Sequence, residues 1–288
     1  MHALKERNDP KRQRKNSESS FSKYKLTLEY DGTGYSGWQM QKNARSIQGI
    51  LLDCARELFG AKVEIQAAGR TDAGVHALAQ VAHLEVTRRL PPQKILFELN
   101  ERLPATINIL AVEEAPAEFH ARHSALAKSY IYMISRRRSA FLKKYVWWIR
   151  DNLNTAVMRK TIEVFNGFHD FSSFADKRID KHLSTKVAVE KTELMEQGDL
   201  IIFRIVASHF LWKMVRRIVG IMVEAGRENM PITDVEHLLD SPSEVPAHYT
   251  SPPSGLFLEK VLYKGDKLPP LAPPSFLFPV ILQKKKHE

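Results

Sequence analysis

What most constrains this chain is the order of its hydrophobic periodicities: a strand, helix, strand, strand, helix, strand succession occurs once and then again. In the first pass YKLTLEY puts Leu26, Leu28 and Tyr30 on one face and Lys25, Thr27 and Glu29 on the other, the two-residue repeat of a half-buried strand. SIQGILLDCARELFG repeats Ile47, Ile50, Leu51, Cys54, Ala55, Leu58 and Phe59 three and four apart behind a Ser46 cap, which predicts an amphipathic helix. Strand-like KVEIQAA and AQVAHLEV follow, then a helix opening at Pro91-Pro92 and the alternating INILAVEEA.

The second pass begins with KSYIYMIS, with Tyr130, Tyr132 and Ile134 on one side. An extra strand YVWWI and a helix bearing Met158, Ile162 and Phe165 come next, then a hairpin of KVAVEKTEL and LIIFRIVA around Gly198. FLWKMVRRIVGIMVEAG is a second amphipathic helix, Thr233 and Glu236 have capping-box spacing for a short one, and GLFLEKVLY closes the set. Two split-βαβ, ferredoxin-like βαββαβ halves are expected, an α+β fold whose sheets join into one mostly antiparallel surface with a basic cleft between them. The halves are placed at residues 23–118 and 119–265. Residues 1–22 read as a disordered basic arm, and residues 266–288 as a Pro-rich, basic tail whose apolar FLFPVIL packs on the body.

Charge narrows the partners. Lys and Arg number 43 against 33 Asp and Glu, a net charge of +10, which favours a polyanion such as nucleic acid or an anionic membrane surface. The single cysteine, Cys54, excludes an intramolecular disulfide and a four-cysteine zinc site. No signal-type apolar core opens the chain and no run of eighteen apolar residues occurs, so a cytoplasmic protein with no membrane partner is expected.

The stretch AAGRTDAGVHALAQVAHL, residues 67–84, places an arginine, a threonine, a carboxylate and two glycines between two strand-like runs. A loop at a strand end aims side chains over a cleft, and Gly69 and Gly74 supply backbone freedom there. Asp72, with an ordinary pKa of about 4, is then available as a nucleophile, a metal ligand or a turn cap. Alone, Thr-Asp-Ala-Gly reads as an ordinary turn; Arg70 beside it favours chemistry.

GRTDAGVHA, residues 69–77, resembles the signature of the TruA-type tRNA pseudouridine synthase family. YDGTGYSGWQMQ, RSIQGIL, NERLPATI, FHARHSALAKSYIYMI, FNGFHDFSSFA, FLWKMVRRIVG and SGLFLEKV resemble that family's further blocks, in order, over residues 24–263. The resemblance implies a duplicated ferredoxin-like fold and an isomerase that turns uridine into pseudouridine in the anticodon stem-loop of tRNA, at nucleotides 38 to 40. It implies Asp72 as nucleophile, Arg216 as its ionic partner, Tyr130 stacked on the uracil and Arg70 on the RNA, where it helps evert the nucleotide. Attack at the sugar C1′ and at the base C6 both stay open. The resemblance further implies no metal, no organic cofactor and a homodimer. Without it, Arg216 would be one of three basic residues, with Lys213 and Arg217, on the polar side of a helix, and Tyr130 a half-buried strand residue. Trp212 and Lys213 depart from what relatives often carry.

Other readings compete. Gly32, Gly34 and Gly37 spell G-x-G-x-x-G after a strand with Asp53 downstream, a dinucleotide pattern, but the intervening residues 38–43 delay the helix that would meet a pyrophosphate. A non-catalytic pair of RRM-like RNA-binding units shares the topology and charge, yet lacks the aromatic run of that module and has no use for the Arg70-Thr71-Asp72 turn. A thiol-dependent methyltransferase would need Cys54, which lies on the apolar stripe of its helix.

Overall fold

Burial alternates along β1 (Ser22–Tyr30), with Tyr24, Leu26, Leu28 and Tyr30 inside, as a strand with one covered face requires. The computed structural model describes residues 21–178 and 183–277; most of the expected basic arm, residues 1–20, and the end of the tail, residues 278–288, lie outside the described residues. After β1 come α1 (Ile47–Phe59), β2 (Val63–Ala67), β3 (His76–Val86), α2 (Pro92–Arg102) and β4 (Ile107–Glu114). The Ser46 hydroxyl accepts the Gly49 amide at 3.3 Å and so caps α1. The second half runs β5 (Ala127–Ser135), β6 (Trp147–Trp148), α3 (Thr155–Glu163), β7 (Gly167–Asp170), β8 (Lys186–Gln197), β9 (Leu200–Ala207), α4 (Met214–Gly226), α5 (Ile232–Asp240), α6 (Val245–His248) and β10 (Leu256–Leu262).

Three elements differ from expectation. YVWWI shortens to the two-residue β6, Trp147 and Trp148 lying in register with Ile134 and Ser135 of β5. β7, with four residues and β8 as its partner at the sheet edge, is too short to show a period. Pro231, in extended conformation, precedes α5, which has no side-chain cap, so the Thr233 to Glu236 capping box does not form.

One sheet of ten strands runs β4-β1-β3-β10-β5-β9-β8-β7, with β2 also on β3 and β6 also on β5. Most pairings are antiparallel. β10 is the seam. It runs parallel to β3 at Phe257↔His76 and Leu258↔Ala77, and antiparallel to β5 from Leu256↔Tyr132 to Leu262↔Ala127.

The seam is packed from both sides. Tyr130 and Tyr132 of β5 enter the large core that the helices cover, whereas Ile131 and Met133 enter a second cluster with Val146, Ile202 and Phe257. Leu271 and Leu277 close this second cluster, and the Phe276 ring lies 5.4 Å from Tyr145 and 5.8 Å from Phe257. Underneath, Arg204 is 1% exposed and pairs with Glu259 and Glu193, so strands β8, β9 and β10 are tied by a compensated buried cation.

Candidate active site

Between β2 and β3, residues 68–75 leave the sheet beside the seam, closed at the base by the Ala68 amide on the Val81 carbonyl at 2.8 Å. The tip is a turn: the Val75 amide donates to the Asp72 carbonyl at 3.1 Å, and Gly74 takes φ +77°, which other residues rarely adopt. Gly69 has no left-handed φ; its missing side chain instead makes room for Lys128. Thr71 is buried, its hydroxyl 2.8 Å from the Tyr30 phenol, whose pKa burial pushes up to about 12. Gln80 donates to the Gly69 carbonyl at 2.9 Å.

The glycine-rich segment after β1 braces this turn. The Trp38 amide donates to the Thr71 carbonyl at 3.0 Å and the Gly74 amide to the Tyr35 carbonyl at 3.3 Å. A Cβ on Gly37 would stand 2.4 Å from the Thr71 carbonyl oxygen, and one on Gly32 would stand 2.0 Å from that of Val75. The G-x-G-x-x-G spacing therefore serves the approach of two loops. His76 completes the brace as a neutral imidazole: Nδ1 accepts the Gly32 amide at 3.0 Å, Nε2 lies 3.0 Å from the Lys144 carbonyl, and burial holds its pKa below the ordinary histidine range.

Asp72 Oδ2 lies 3.9 Å from Arg216 Nη1, within ionic reach and beyond a hydrogen bond. Both are partly buried, at 29% and 15% side-chain exposure, so little solvent screens the pair. Burial raises the Asp72 pKa above the usual carboxylate range, and Arg216, Trp212 and Lys213 act against that rise. Arg216 is itself held: Nε donates to the Ser251 carbonyl at 2.7 Å, and the Ser251 amide donates back to the Arg216 carbonyl at 3.0 Å. α4 comes this close because Gly220 has no side chain; a Cβ there would meet the Tyr249 carbonyl oxygen at 1.6 Å.

The three basic residues grouped on one helix face have separate partners. Lys213, at φ +64°, reaches Asp176 at 2.8 Å, and Asp176 also accepts from Arg178 at 2.9 and 3.1 Å. The Arg178 guanidinium, then Lys213, hold the Asp176 pKa far below the usual range. Arg178 also lies 4.1 Å over the Trp212 ring. Arg217 is buried and donates to the Ser173 and Ala175 carbonyls.

Tyr130 is 7% exposed, with the Phe210 ring edge-on at 4.9 Å. Burial first, then the charges of Tyr30 and Asp72, push its pKa far above the ordinary phenol range, so it keeps its proton. Arg70 is exposed and makes no ion pair or side-chain hydrogen bond among the described residues. Asp72 and Arg216 thus meet beside the seam, Tyr130 pairs with the seam strand at Leu258, and Arg70 lies on the Asp72 loop. Asp176 and Lys128 carry no motif that spacing exposes, and sequence reasoning missed both.

Among the described residues, no group of three or more His, Cys, Asp or Glu is placed to hold a metal, and no helix is long and apolar enough to cross a membrane. The sequence model of a family described as tRNA pseudouridine synthase matches residues 27–124 and 162–264, which include Arg70, Asp72 and Arg216 but not Tyr130. A protein of Thermodesulfovibrio yellowstonii named tRNA pseudouridine synthase A is 37% identical over 250 residues, 83% of this chain and 98% of that one. Proteins of the same name from Rhodopseudomonas palustris and Aquifex aeolicus are 38% identical over 245 residues and 37% over 241. These cover 84% and 83% of this chain, and 99% and 98% of theirs.

Proposed function

The chain belongs to the tRNA pseudouridine synthase family, and from that premise we propose that it isomerises uridine to pseudouridine in the anticodon stem-loop of tRNA, at nucleotides 38 to 40, with Asp72 as nucleophile and no cofactor. The observation that carries this reading is the braced turn that holds Asp72 3.9 Å from the Arg216 guanidinium, beside the seam where β5 carries Tyr130.

Chemistry on a stacked base requires the nucleotide to leave the helix, and Tyr130 offers the everted uracil an aromatic face. In the C1′ route the Asp72 carboxylate bonds to C1′ as the N1–C1′ bond breaks. The freed uracil anion turns, C5 bonds to C1′ and expels the carboxylate, and C5 then loses its proton while N1 gains one. In the C6 route the carboxylate adds to the base first. Either way the group must be ionised, and Arg216 opposes the burial that favours its neutral form. Arg70, exposed on the same loop, takes the RNA backbone.

The site is divided between two ferredoxin-like subdomains, residues 23–118 supplying Asp72 and Arg70 and residues 119–265 supplying Tyr130 and Arg216. The protein acts in the cytoplasm as a homodimer, one tRNA spanning both copies, and the net charge of +10 suits that polyanion.

Mapping pseudouridine on bulk tRNA from cells with and without the protein tests the reading: loss at nucleotides 38 to 40 is expected, and an unchanged map overturns it. Affinity for tRNA is expected to fall about 10-fold or more between low and physiological salt, because several phosphates release counterions on binding; a salt-insensitive complex would contradict that. Arg216→Gln removes the largest influence opposing the rise in the Asp72 pKa. Its turnover is therefore expected to fall, with the acid limb of the pH–rate profile moved to higher pH, as read from kcat against pH.

A further inference from the structure

Among the described residues, Lys128 is a buried cation without a counterion. It is 8% exposed and, among the described residues, makes no ion pair and no side-chain hydrogen bond. Alternate residues of a strand share a face, so Lys128 stands beside Tyr130, about 7 Å along β5. Its stem lies under the loop that carries Asp72: a Cβ on Gly69 would stand 3.3 Å from Lys128 Cε. Burial and Arg122 both lower the Lys128 pKa, and after burial Lys128 and Arg122 lower that of His209, with no carboxylate acting on either. A buried ammonium with no partner is costly, and this one sits where a substrate strand would supply the missing anion.

Resting on the function proposed above, we infer that Lys128 binds a backbone phosphodiester of the RNA beside the nucleotide stacked on Tyr130. A lysine is a compact point charge on a flexible stem, suited to a phosphate whose approach varies. Fixing the strand one step from the everted base holds the sugar in register with the Asp72 carboxylate.

The test uses the full chain and an anticodon stem-loop RNA in which single phosphates are replaced in turn by neutral methylphosphonates. Lys128→Met is expected to weaken RNA binding about 10-fold and to reduce the salt slope by about one ion, while Tm rises because an unpaired charge is removed. One methylphosphonate position should weaken the wild-type complex by a similar factor and leave the Lys128→Met complex unaffected. Lys128→Arg should retain most of the affinity. A Lys128→Met protein with a lower Tm and unchanged RNA affinity would overturn the proposal, as would methylphosphonates that weaken both proteins equally. Should Lys128→Met not fold, the same methylphosphonate series on Lys128→Gln decides the matter by the same coupling. Wild-type protein that makes no pseudouridine on this RNA counts against the proposed function; product without any coupled phosphate counts against Lys128 alone.

Discussion

Asp72→Asn is expected to fold, to bind tRNA and to form pseudouridine at least about 10³-fold more slowly than wild type, since under the proposed mechanism it removes the group that forms the bond. The side chain keeps its shape, so the turn between Asp72 and Val75, which uses backbone atoms, is untouched. Stability should move the other way. Folding raises the Asp72 pKa, so the charged carboxylate is less favourable in the native than in the unfolded chain; that penalty is absent at low pH, sets in as pH rises past the unfolded value and is complete above the folded one. At neutral pH the neutral amide escapes it, and Tm is expected to equal or exceed that of wild type. Calorimetry and chromatographic assay of nucleosides from digested tRNA check both halves, and undiminished turnover would exclude Asp72 from the chemistry.

Gly37→Ala should lower stability sharply. The position has φ +94°, and the new Cβ would stand 2.4 Å from the Thr71 carbonyl oxygen and 3.0 Å from the Asp72 carbonyl carbon. Left-handed strain and overpacking together cost roughly 2–5 kcal/mol, a fall in Tm on the order of 10 °C for a chain of this size. Whatever relief the loops find displaces Asp72, and a shift of about 1 Å at a reacting group can cost about 10²-fold in rate. Gly34→Ala is the control. It carries φ +80° with no atom within 4 Å of the new Cβ, so it incurs the strain without the collision. Equal losses of activity in the two variants would show that close approach is not what holds the turn.

The strands and helices were legible wherever period and length agreed. Leu26, Leu28 and Tyr30 announced β1, and Ser46 announced the start of α1. The edge strand β7 was not legible, because four residues establish no period. Residue type and local spacing pointed to Asp72 as a candidate, and the family blocks supplied the expectations for Arg216 and Tyr130. Sequence alone could not say that Arg216 would meet the loop while Arg217, its neighbour, turned inward to two carbonyls. That distinction depends on how closely α4 lies on residues 249–251, a property of packing. The glycines at 32 and 37 were visible and their dinucleotide reading was rejected on sequence grounds, but the loop they accommodate could be recognised only in three dimensions. Lys128 gave no local signal at all, since an uncompensated charge is defined by what does not surround it.

The seam strand has a consequence for biosynthesis. Among the described residues β10 follows every other strand, yet it lies between β3 and β5. While a ribosome is still making residues 256–262, the two older strands hold open edges toward each other, a hazard for stray pairing. The nascent polypeptide consequently lacks a joined sheet until residues 256–262 clear the exit tunnel, and competence toward RNA waits on that step.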